Sequence, residues 1–398
     1  MAQTVLLTLG RLPKGLEVAR SLAAAGCRVL VADPHGQHLC VPSNAVHKSF
    51  RTPAPSRSAE AYLDRLVDIV ETERVDLIVP VSEEILFVSQ LKGRLPPGAA
   101  VFSDRFETLL NLHHKGHFCE LARTHGLPVP HSVVASDPDA VSLAEASDFV
   151  IKPVLGCSGD GLSYHRRGDP IPERNRKSDL LVQQKIEGTL VSAMAVARDG
   201  ATLGTSIYKG TLFSGTVATS FERIVGMETL STLINNFIHR LDFTGFISFD
   251  VIVDQDDRPW FIECNPRLTS AVHFFDPEDL AAAILETPPL AKIGFRPQAR
   301  FQEGHTTLME AYGKIFQPRE FWRRLGLLRH SRDVLWSSRD PLPFLLMTPM
   351  SWRVLGDALF NGLSIGKAVT KDITWVNGQH SLPQQTRTSV NHELSHGT

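Results

Sequence analysis

The chain has 398 residues, of which 42% are hydrophobic and 21% are charged, with a formal net charge of −2. This composition is typical of globular proteins that bury a core, and the length predicts two or three domains. The near-neutral charge provides no broad basic surface, which argues against nucleic acid as a partner.

Cysteine usage and local hydrophobicity predict a cytoplasmic protein without a membrane partner. The five cysteines are scattered and lack the paired spacing of a zinc site, so we expect reduced thiols. The first residues, MAQTVLLTLGRLPKG, lack the order of a signal peptide. The apolar stretch PLPFLLMTPMSWRVLGDALF is interrupted by prolines and charges, which excludes it as a membrane span.

The N-terminal region predicts an α/β domain. It begins with a strand (TVLLTLG), a helix (PKGLEVARSLAAAG) and a second strand (CRVLVAD), which is typical of nucleotide-type α/β folds. The turn GRLPKG is not a GxGxxG fingerprint, so dinucleotide binding is weakly supported. Glu83 and Glu84 follow the apolar strand VDLIVPVS, at the edge where open α/β sheets bind ligands. We favour a role in opening the next helix over substrate contact.

The next region predicts a helix and a glycine-rich turn. The segment LLNLHHKGHFCELARTHGLPVP predicts one helix that ends at Gly126 and an extended connector. FVIKPVLGCSGDGLSY then predicts two strands joined by a turn, with Lys152 ending the first strand. Gly156, Gly159 and Gly161 allow backbone N–H groups to converge on an anion, which makes this turn a candidate phosphate cradle. A hairpin turn without a ligand also favours glycine.

The stretch TGFISFDVIVDQDDRPWFIECNPRLT predicts a β-hairpin with a metal site. Pairing of its strands would bring Asp250 near Glu263, with Asn265 one step further along. Arg267 follows just beyond, and simple alternation places Phe261 on the face of Glu263. Two carboxylates and an amide suit Mg²⁺, which binds few protein oxygens together with nucleotide phosphates. The alternative is an ordinary amphipathic hairpin with a solvated charged face.

Six features in order resemble the ATP-grasp superfamily of ligases over residues 1 to about 293. They are Lys115 before a Gly-Leu-Pro-Val-Pro connector, the FVIKP strand, the GCSGDG loop, the VQQKIEG connector, the carboxylate hairpin and ECNPR. The resemblance implies a combined α/β and α+β architecture. Its expected parts are a Rossmann-like pre-ATP-grasp domain (1–110), a linker and lid subdomain (111–188), an antiparallel Mg/phosphate-binding subdomain (189–293), a helical C-terminal extension (294–381) and a disordered tail (382–398).

The resemblance also implies a role for single residues, with ATP and one or two Mg²⁺ ions, which Mn²⁺ could replace, as cofactors. The assigned residues are Lys115, Lys152, Ser158, Gly159 and Gly161 for phosphates; Gln183, Gln184, Lys185, Ile186 and Glu187 for the adenine hinge; Asp250, Glu263 and Asn265 for metal; and Arg267, Lys209 and Arg223 for catalysis. Backbone groups of Gln184 and Ile186 would bond the adenine edge. Lys209 would be a further phosphate contact, with an ordinary surface lysine as the alternative. Arg223 would pair with a substrate carboxylate, with a surface ion pair as the alternative.

Two positions depart from the superfamily pattern. The hinge usually carries an acid where this chain has Gln183, and many relatives place a ribose-binding Glu where it has Leu190. Either Glu187 takes the ribose role or the hydroxyls are held differently.

ATP-grasp ligases phosphorylate an oxygen acid and let an amine displace the phosphate. The resemblance therefore implies an ATP-dependent ligase with a small-molecule acceptor and an amino acid as substrates, and it leaves a homodimer open. ECNPRLTSAVHFF and DPLPF look similar to ligases of mycosporine-like amino-acid biosynthesis, which join glycine to 4-deoxygadusol. On this view the acceptor would lie near His273 and Asp340. The alternatives are a generic carboxylate–amine ligase and a non-catalytic nucleotide-binding scaffold.

Overall fold

The N-terminal part of the chain is a parallel sheet flanked by helices. The computed structural model describes residues 2–156, 161–215, 217–286, 292–363 and 365–375. The first sheet has the strand order β3-β2-β1-β4-β5, and its central strands β1, β2 and β4 are almost entirely buried. Its elements are β1 (Thr4–Leu7), α1 (Pro13–Ala24), β2 (Arg28–Asp33), β3 (Lys48–Arg51), α2 (Ala59–Glu73), β4 (Leu77–Val79), α3 (Ile85–Val88), β5 (Ala100–Val101) and α4 (Phe106–His113).

A small antiparallel sheet follows, with the strand order β6-β9-β7-β8. Its elements are α5 (Lys115–Thr124), β6 (Ser132–Val134), α6 (Asp139–Ala146), β7 (Phe149–Pro153), β8 (Ser163–His165) and β9 (Leu180–Gln184). The prediction of one continuous helix before this sheet is wrong, because α4 and α5 are separate. His114 between them has extended backbone angles, and its ring accepts the N–H of His117 as the cap of α5.

The third sheet is the largest and has the strand order β14-β13-β10-β11-β12-β15-β16. Its face toward α7 is lined by buried apolar residues of β10, β13 and β14. The opposite face carries the polar residues of these strands together with buried Met194, Val196 and Phe246. Its elements are β10 (Thr189–Arg198), β11 (Ala201–Ser214), β12 (Val217–Ile224), α7 (Glu228–Leu241), β13 (Gly245–Val253), β14 (Pro259–Asn265), α8 (Pro277–Leu285), β15 (Arg300–Gln302) and β16 (Arg332–Asp333).

A β-bulge in the β13–β14 hairpin divides its two faces. Asp250 pairs with Glu263 as predicted, but the register shifts at the next step so that Val251 pairs with Phe261. The extra residue places Phe261 in the core, where its ring lies 5.5 Å from that of Phe249 in an edge-on contact. The prediction that Phe261 shares the face of Glu263 is therefore wrong, because alternation across a bulge changes phase.

The C-terminal region is not only helical. Its helices are α9 (Gly304–Tyr312), α10 (Pro318–His330), α11 (Leu342–Leu345), α12 (Met347–Phe360) and α13 (Ile365–Thr370), but β15 and β16 add two strands to the large sheet. After α13 the chain returns to the N-terminal domain, where the Trp375 ring lies 4.8 Å from that of Phe87. Within the ranges given above, no helix has the length and apolarity needed to cross a bilayer.

Buried ion pairs join the N-terminal domain to later parts of the chain. Glu17 on α1 lies 2.8 Å from His273 and also pairs with Arg296. Asp340 accepts hydrogen bonds from Arg20 at 2.9 Å and from the Ser43 hydroxyl at 2.6 Å. His273 and Asp340 are almost fully buried in these contacts, which argues against the expectation that they face an acceptor.

We expect the Glu17 pair to make folding stability depend on pH. Burial opposes ionisation, but His273 and Arg296 outweigh it and lower the pKa of Glu17 from 4.5 to about 2. A lowered folded-state pKa means that the pair stabilises fully above pH 4.5 and that this contribution is lost as the pH falls toward 2. Glu17→Gln should therefore cost about 3 kcal/mol at neutral pH, and the difference from wild type should shrink on acidification.

Urea unfolding of both proteins across this pH range measures the effect. Glu71→Gln, at an exposed position of α2, is the control and should leave the unfolding free energy unchanged at each pH. A difference between Glu17→Gln and wild type that stayed constant on acidification would contradict the expectation.

Candidate functional site

A row of polar side chains crosses five strands on one face of the large sheet. The registered neighbours, in order across β14, β13, β10, β11 and β12, are Glu263, Asp250, Ser192, Tyr208 and Arg223. The Ser192 hydroxyl donates to Asp250 Oδ1 at 2.7 Å. Because registered residues of adjacent strands point to the same face, the sheet itself aligns this row.

Two lysines from the preceding segments reach this face. Lys115 begins α5; its Nζ lies 3.6 Å from Glu263 Oε2 and donates to the Gly156 carbonyl at 2.9 Å. Lys152, the penultimate residue of β7, donates to Gln183 Oε1 and to the Ile262 carbonyl, both at 2.9 Å. Burial, followed by the repulsion of Lys115, lowers the pKa of Lys152 to about 8, although Glu263 opposes the shift.

The carboxylate pair itself has strongly perturbed acidity. Burial and then the charge of Glu263 raise the pKa of Asp250 to about 6. Burial also acts on Glu263, but Lys115 and Lys152 outweigh it and hold the pKa of that carboxyl below its usual range. Two adjacent, half-buried carboxylates both ionise readily only if more positive charge approaches, which is what a divalent cation supplies.

The donor set therefore fits Mg²⁺ held jointly by protein and phosphate oxygens. Asp250 and Glu263 supply hard carboxylate oxygens, and Asn265 donates to Glu263 Oε1 at 3.3 Å, which places its amide beside the pair. Among the residues that the structure describes, no group of three or more His, Cys, Asp or Glu side chains could hold a metal. A metal here would need phosphate or water oxygens to complete its coordination.

Arg267 is held by an acid of the N-terminal domain. Its Nη2 lies 2.6 Å from Glu83 Oε1, and it donates to Asn265 Oδ1 at 3.2 Å. Burial opposes the charge of Glu83, but Arg267, His113 and Lys14 outweigh it and lower the pKa of Glu83 to about 2. A buried carboxylate from the edge of the parallel sheet thus orients the guanidinium beside the metal candidates.

The two acids after β4, Glu83 and Glu84, make different contacts. Glu83 pairs with Arg267, and Glu84 turns back to accept from the Val81 N–H at 2.7 Å and the Thr8 hydroxyl at 2.9 Å. Glu84 is the N-cap of α3 but makes no side-chain capping bond to it. The prediction that these acids open the next helix is therefore confirmed for the position of Glu84, whose carbonyl accepts the Val88 N–H at 2.9 Å, but not for Glu83. The sequence feature that indicated their place beside the site is their position at the carboxyl edge of β4.

The hinge segment is mostly engaged in bonds within the small sheet. The buried Gln183 amide accepts a hydrogen bond from Lys152 and donates one to the Ser132 hydroxyl, both at 2.9 Å. Gln183 therefore holds Lys152 from the position where the superfamily pattern usually has an acid. The Gln184 N–H donates to the His131 carbonyl at 2.8 Å and the Lys185 N–H to that of Asp148 at 2.9 Å. This occupation argues against adenine recognition by the Gln184 N–H.

The remaining hinge residues are more accessible. Ile186 is half-buried and Glu187 is exposed, where it forms an ion pair with Lys185. Leu190 is half exposed at the start of β10. Glu187 is therefore the accessible acid for the predicted contact with the ribose hydroxyls.

The glycine-rich turn is described only at its ends. Gly156 and Gly161 have φ values of +122° and +74°, a region that L residues rarely adopt. A Cβ on Gly161 would also meet Pro153 Cγ at 2.9 Å. Ser158 and Gly159, predicted to close over phosphates, lie outside the described residues.

The two other basic candidates differ in their placement. Lys209 is exposed and follows Tyr208 on β11, so it points to the face opposite Asp250, which argues against a phosphate contact. Arg223 shares the face of Asp250 but lies three strands away, about 14 Å by sheet spacing. Its guanidinium stacks over the Phe295 ring at 4.4 Å. Arg223 thus lies on the same sheet face as Asp250 but at a distance from it.

Comparisons with known proteins concern the fold of the chain. The family model described as an ATP-grasp domain matches residues 113–271. No curated protein matches the chain. Among solved structures, the N5-carboxyaminoimidazole synthetase of Staphylococcus aureus, complexed with ADP, has a TM-score of 0.58 at 15% identity and covers 74% of this chain and 81% of that one.

Two further structures have the same fold. The L-amino acid ligase of Bacillus licheniformis has a TM-score of 0.53 at 14% identity, covering 71% of this chain and 74% of that one. The biotin carboxylase domain of Hydrogenobacter thermophilus 2-oxoglutarate carboxylase, complexed with MgADP and bicarbonate, has a TM-score of 0.55 at 15% identity. The match covers 68% of this chain and 65% of that domain, slightly less than two thirds. These likenesses establish the ATP-grasp fold.

We expect Glu83 and Arg267 to be energetically coupled. Glu83→Gln and Arg267→Gln should each cost about 3–5 kcal/mol of unfolding free energy, since each leaves a buried charge without its partner. The double variant should lose less than the sum of the two by about 2 kcal/mol. Urea unfolding of the four proteins gives the coupling energy.

The exposed pair Arg65–Asp68 on α2 is the matched control. Its coupling, measured with Arg65→Gln and Asp68→Asn, should stay below about 1 kcal/mol because water screens it. Equal coupling in the two pairs would show that Glu83 does not hold Arg267 as inferred.

Proposed function

Given the ATP-grasp fold, we propose that this chain is an ATP-dependent ligase. It would phosphorylate a carboxylate or enolic oxygen with ATP and join the activated group to an amine, releasing ADP and phosphate. The observation that carries the proposal is the half-buried pair Asp250 and Glu263, which faces Lys115, Lys152 and the oriented Arg267. A protein that only bound nucleotide would not need two carboxylates at this place.

The proposed roles follow from charge and position. Mg²⁺, held by Asp250, Glu263 and Asn265, would neutralise the phosphate oxygens of ATP during phosphoryl transfer. Lys115 and Lys152 would hold the phosphates as point charges from the lid side. The Glu83-bound Arg267 has few ways to reorient, so its guanidinium would steady the transferred group without reorganisation.

The substrates are proposed more coarsely than the chemistry. A generic carboxylate–amine ligase is supported by the fold shared with the Bacillus licheniformis L-amino acid ligase. The mycosporine-glycine type of step is a narrower hypothesis that rests on the ECNPRLTSAVHFF and DPLPF stretches alone. Arg223, on the same sheet face, is our candidate for a substrate carboxylate, since Arg binds carboxylates in a bidentate manner. A homodimer remains the proposed assembly.

The direct test is ADP release with Mg-ATP, a panel of amino acids, and carboxylate or cyclohexenone acceptors. We expect ADP release that requires both an amine and an acceptor, with the condensation product detected by mass spectrometry. Asp250→Asn and Glu263→Gln should lower turnover about 10²-fold or more. Asp256→Asn, in the exposed turn of the same hairpin, is the matched control and should keep full activity.

Two outcomes would contradict this proposal. ATP binding without any acceptor-dependent ADP release would favour the non-catalytic scaffold. Normal turnover by Glu263→Gln would remove the metal assignment.

We also expect ATP affinity to depend on the charge of Lys152. With a pKa of about 8, this lysine is mostly protonated at neutral pH and loses its charge as the pH rises. ATP affinity should therefore fall by up to about tenfold per pH unit above 8. Lys152→Arg, which stays charged, should remove this dependence, as measured by calorimetric titration.

The exposed Lys209 provides the control. Lys209→Met should bind ATP with the same pH dependence as wild type, because this side chain lies on the other sheet face. An unchanged slope in Lys152→Arg would exclude Lys152 as the titrating phosphate contact.

A further inference from the structure

The C-terminal hairpin, which we define as residues 304–330, displays apolar side chains to solvent. Its second helix, α10, contains no buried residue. Phe316, in the loop before α10, is 96% exposed, and Trp322 on α10 is 68% exposed. Met309, Tyr312 and Ile315 are also exposed. Exposed apolar groups gathered in one element mark an interaction surface more often than scattered single residues do.

The outward face of α10 combines these aromatics with positive charge. Four residues of this face are exposed: Arg319, Trp322, Arg323 and Arg329. Successive members are three, one and six positions apart, which places all four on one side of the helix. The inward side is fixed by Phe321, whose ring lies 6.0 Å from that of Tyr312 on α9. The exposed face is therefore a defined stripe of three arginines and one tryptophan and not a frayed end.

The hairpin carries an excess of positive charge. The hairpin holds five Lys and Arg residues against two acids, Glu310 and Glu320. Both acids are already bonded, Glu310 to Arg324 at 2.9 Å and Glu320 to Arg323 at 2.8 Å. The remaining basic residues, which have no acidic partner in the described part of the chain, are Lys314, Arg319 and Arg329.

We propose that the C-terminal hairpin docks this protein on an anionic phospholipid bilayer. Arginines at the surface would meet the lipid phosphates, while Trp322 and the loop residue Phe316 would enter the headgroup region. A basic helix face with aromatic side chains is the combination that lies in a membrane interface without spanning it. This surface departs from the expectation of no membrane partner, which rested on the lack of a spanning segment.

Other occupants fit these residues less well. A second copy of the chain meeting the stripe about a twofold axis would bring arginine against arginine, with both acids of the hairpin already paired. A nucleic acid would accept the arginines but would not bury the aliphatic Met309 and Ile315. An anionic bilayer complements both the charge and the apolar groups.

A second helix of the same region has similar features. On α12, Trp352 is 70% exposed and Phe360 is 87% exposed. Leu359 is exposed seven residues after Trp352, on the same helix face, and Arg353 is exposed beside it. An independent element of the C-terminal region thus also presents tryptophan next to arginine.

The test is co-sedimentation of the full chain with phosphatidylcholine vesicles, with and without phosphatidylglycerol. We expect binding only to the anionic vesicles, a blue shift of tryptophan fluorescence, and weaker binding when salt rises from about 0.1 M to about 0.5 M. Arg319→Gln, Arg323→Gln and Arg329→Gln combined should weaken binding about 25-fold or more, since each arginine without an acidic partner contributes about fivefold near an anionic surface and Arg323 is offset by Glu320. Phe316→Ser with Trp322→Ser should remove the blue shift and most of the binding.

Matched controls separate this surface from general charge and apolarity. Arg51→Gln, Arg57→Gln and Arg174→Gln combined remove the same charge from exposed positions elsewhere and should bind as wild type does. Tyr164→Ser removes another aromatic side chain that is 68% exposed and should also leave binding unchanged. All variants lie at exposed positions, and thermal melts report whether each one folds.

The possible results either support or overturn the proposal. Loss of vesicle binding confined to the hairpin variants supports it. No binding to anionic vesicles, or equal binding by hairpin variants and controls, overturns it. Hairpin-dependent self-association or oligonucleotide binding, in the absence of vesicle binding, would also overturn it and assign the surface to that other partner.

Discussion

The repulsion between two half-buried carboxylates organises the centre of this protein. Asp250 and Glu263 are registered neighbours on β13 and β14, so the hydrogen-bonded ladder prevents them from moving apart. Placing two negative charges in this position is costly unless positive groups surround them. Lys115 and Lys152 lower the pKa of Glu263, whereas that of Asp250 stays raised. The two lysines therefore offset the charge of Glu263, whereas Asp250 needs a further cation to balance its charge.

The positive groups come from different parts of the chain, which makes the site a product of domain assembly. Lys115 begins a helix, Lys152 is the penultimate residue of a strand of the small sheet, and Arg267 follows the large sheet. The N-terminal domain contributes Glu83, a counter-charge to Arg267 in place of a further cation. If the N-terminal domain, the small sheet or the large sheet were misplaced, a charged group of the site would lose its partner. The electrostatics that serve the site therefore also hold the units together.

Local patterns predicted the elements and the Asp250–Glu263 pairing, because strand alternation and a polar turn are short-range signals. They did not predict the side of Phe261, since a bulge changes the phase of alternation without a distinctive residue. The face of Lys209 depends on how β11 pairs with β10, which lies beyond local pattern. Glu83 meets Arg267 across 184 positions of sequence, and only the assembled fold brings such partners together.

The C-terminal region contains one part that completes the core and another part that faces solvent. Its strands complete the large sheet and its Trp375 packs on the N-terminal domain, so part of it is needed for the core. Helix α10 buries none of its residues, and a helix of 13 residues gains little stability from its own backbone. Contacts with α9 account for its inward side but not for a tryptophan between arginines on its outer side. Since exposed apolar groups promote aggregation unless something covers them, the outer stripe is better explained by a partner surface than by folding.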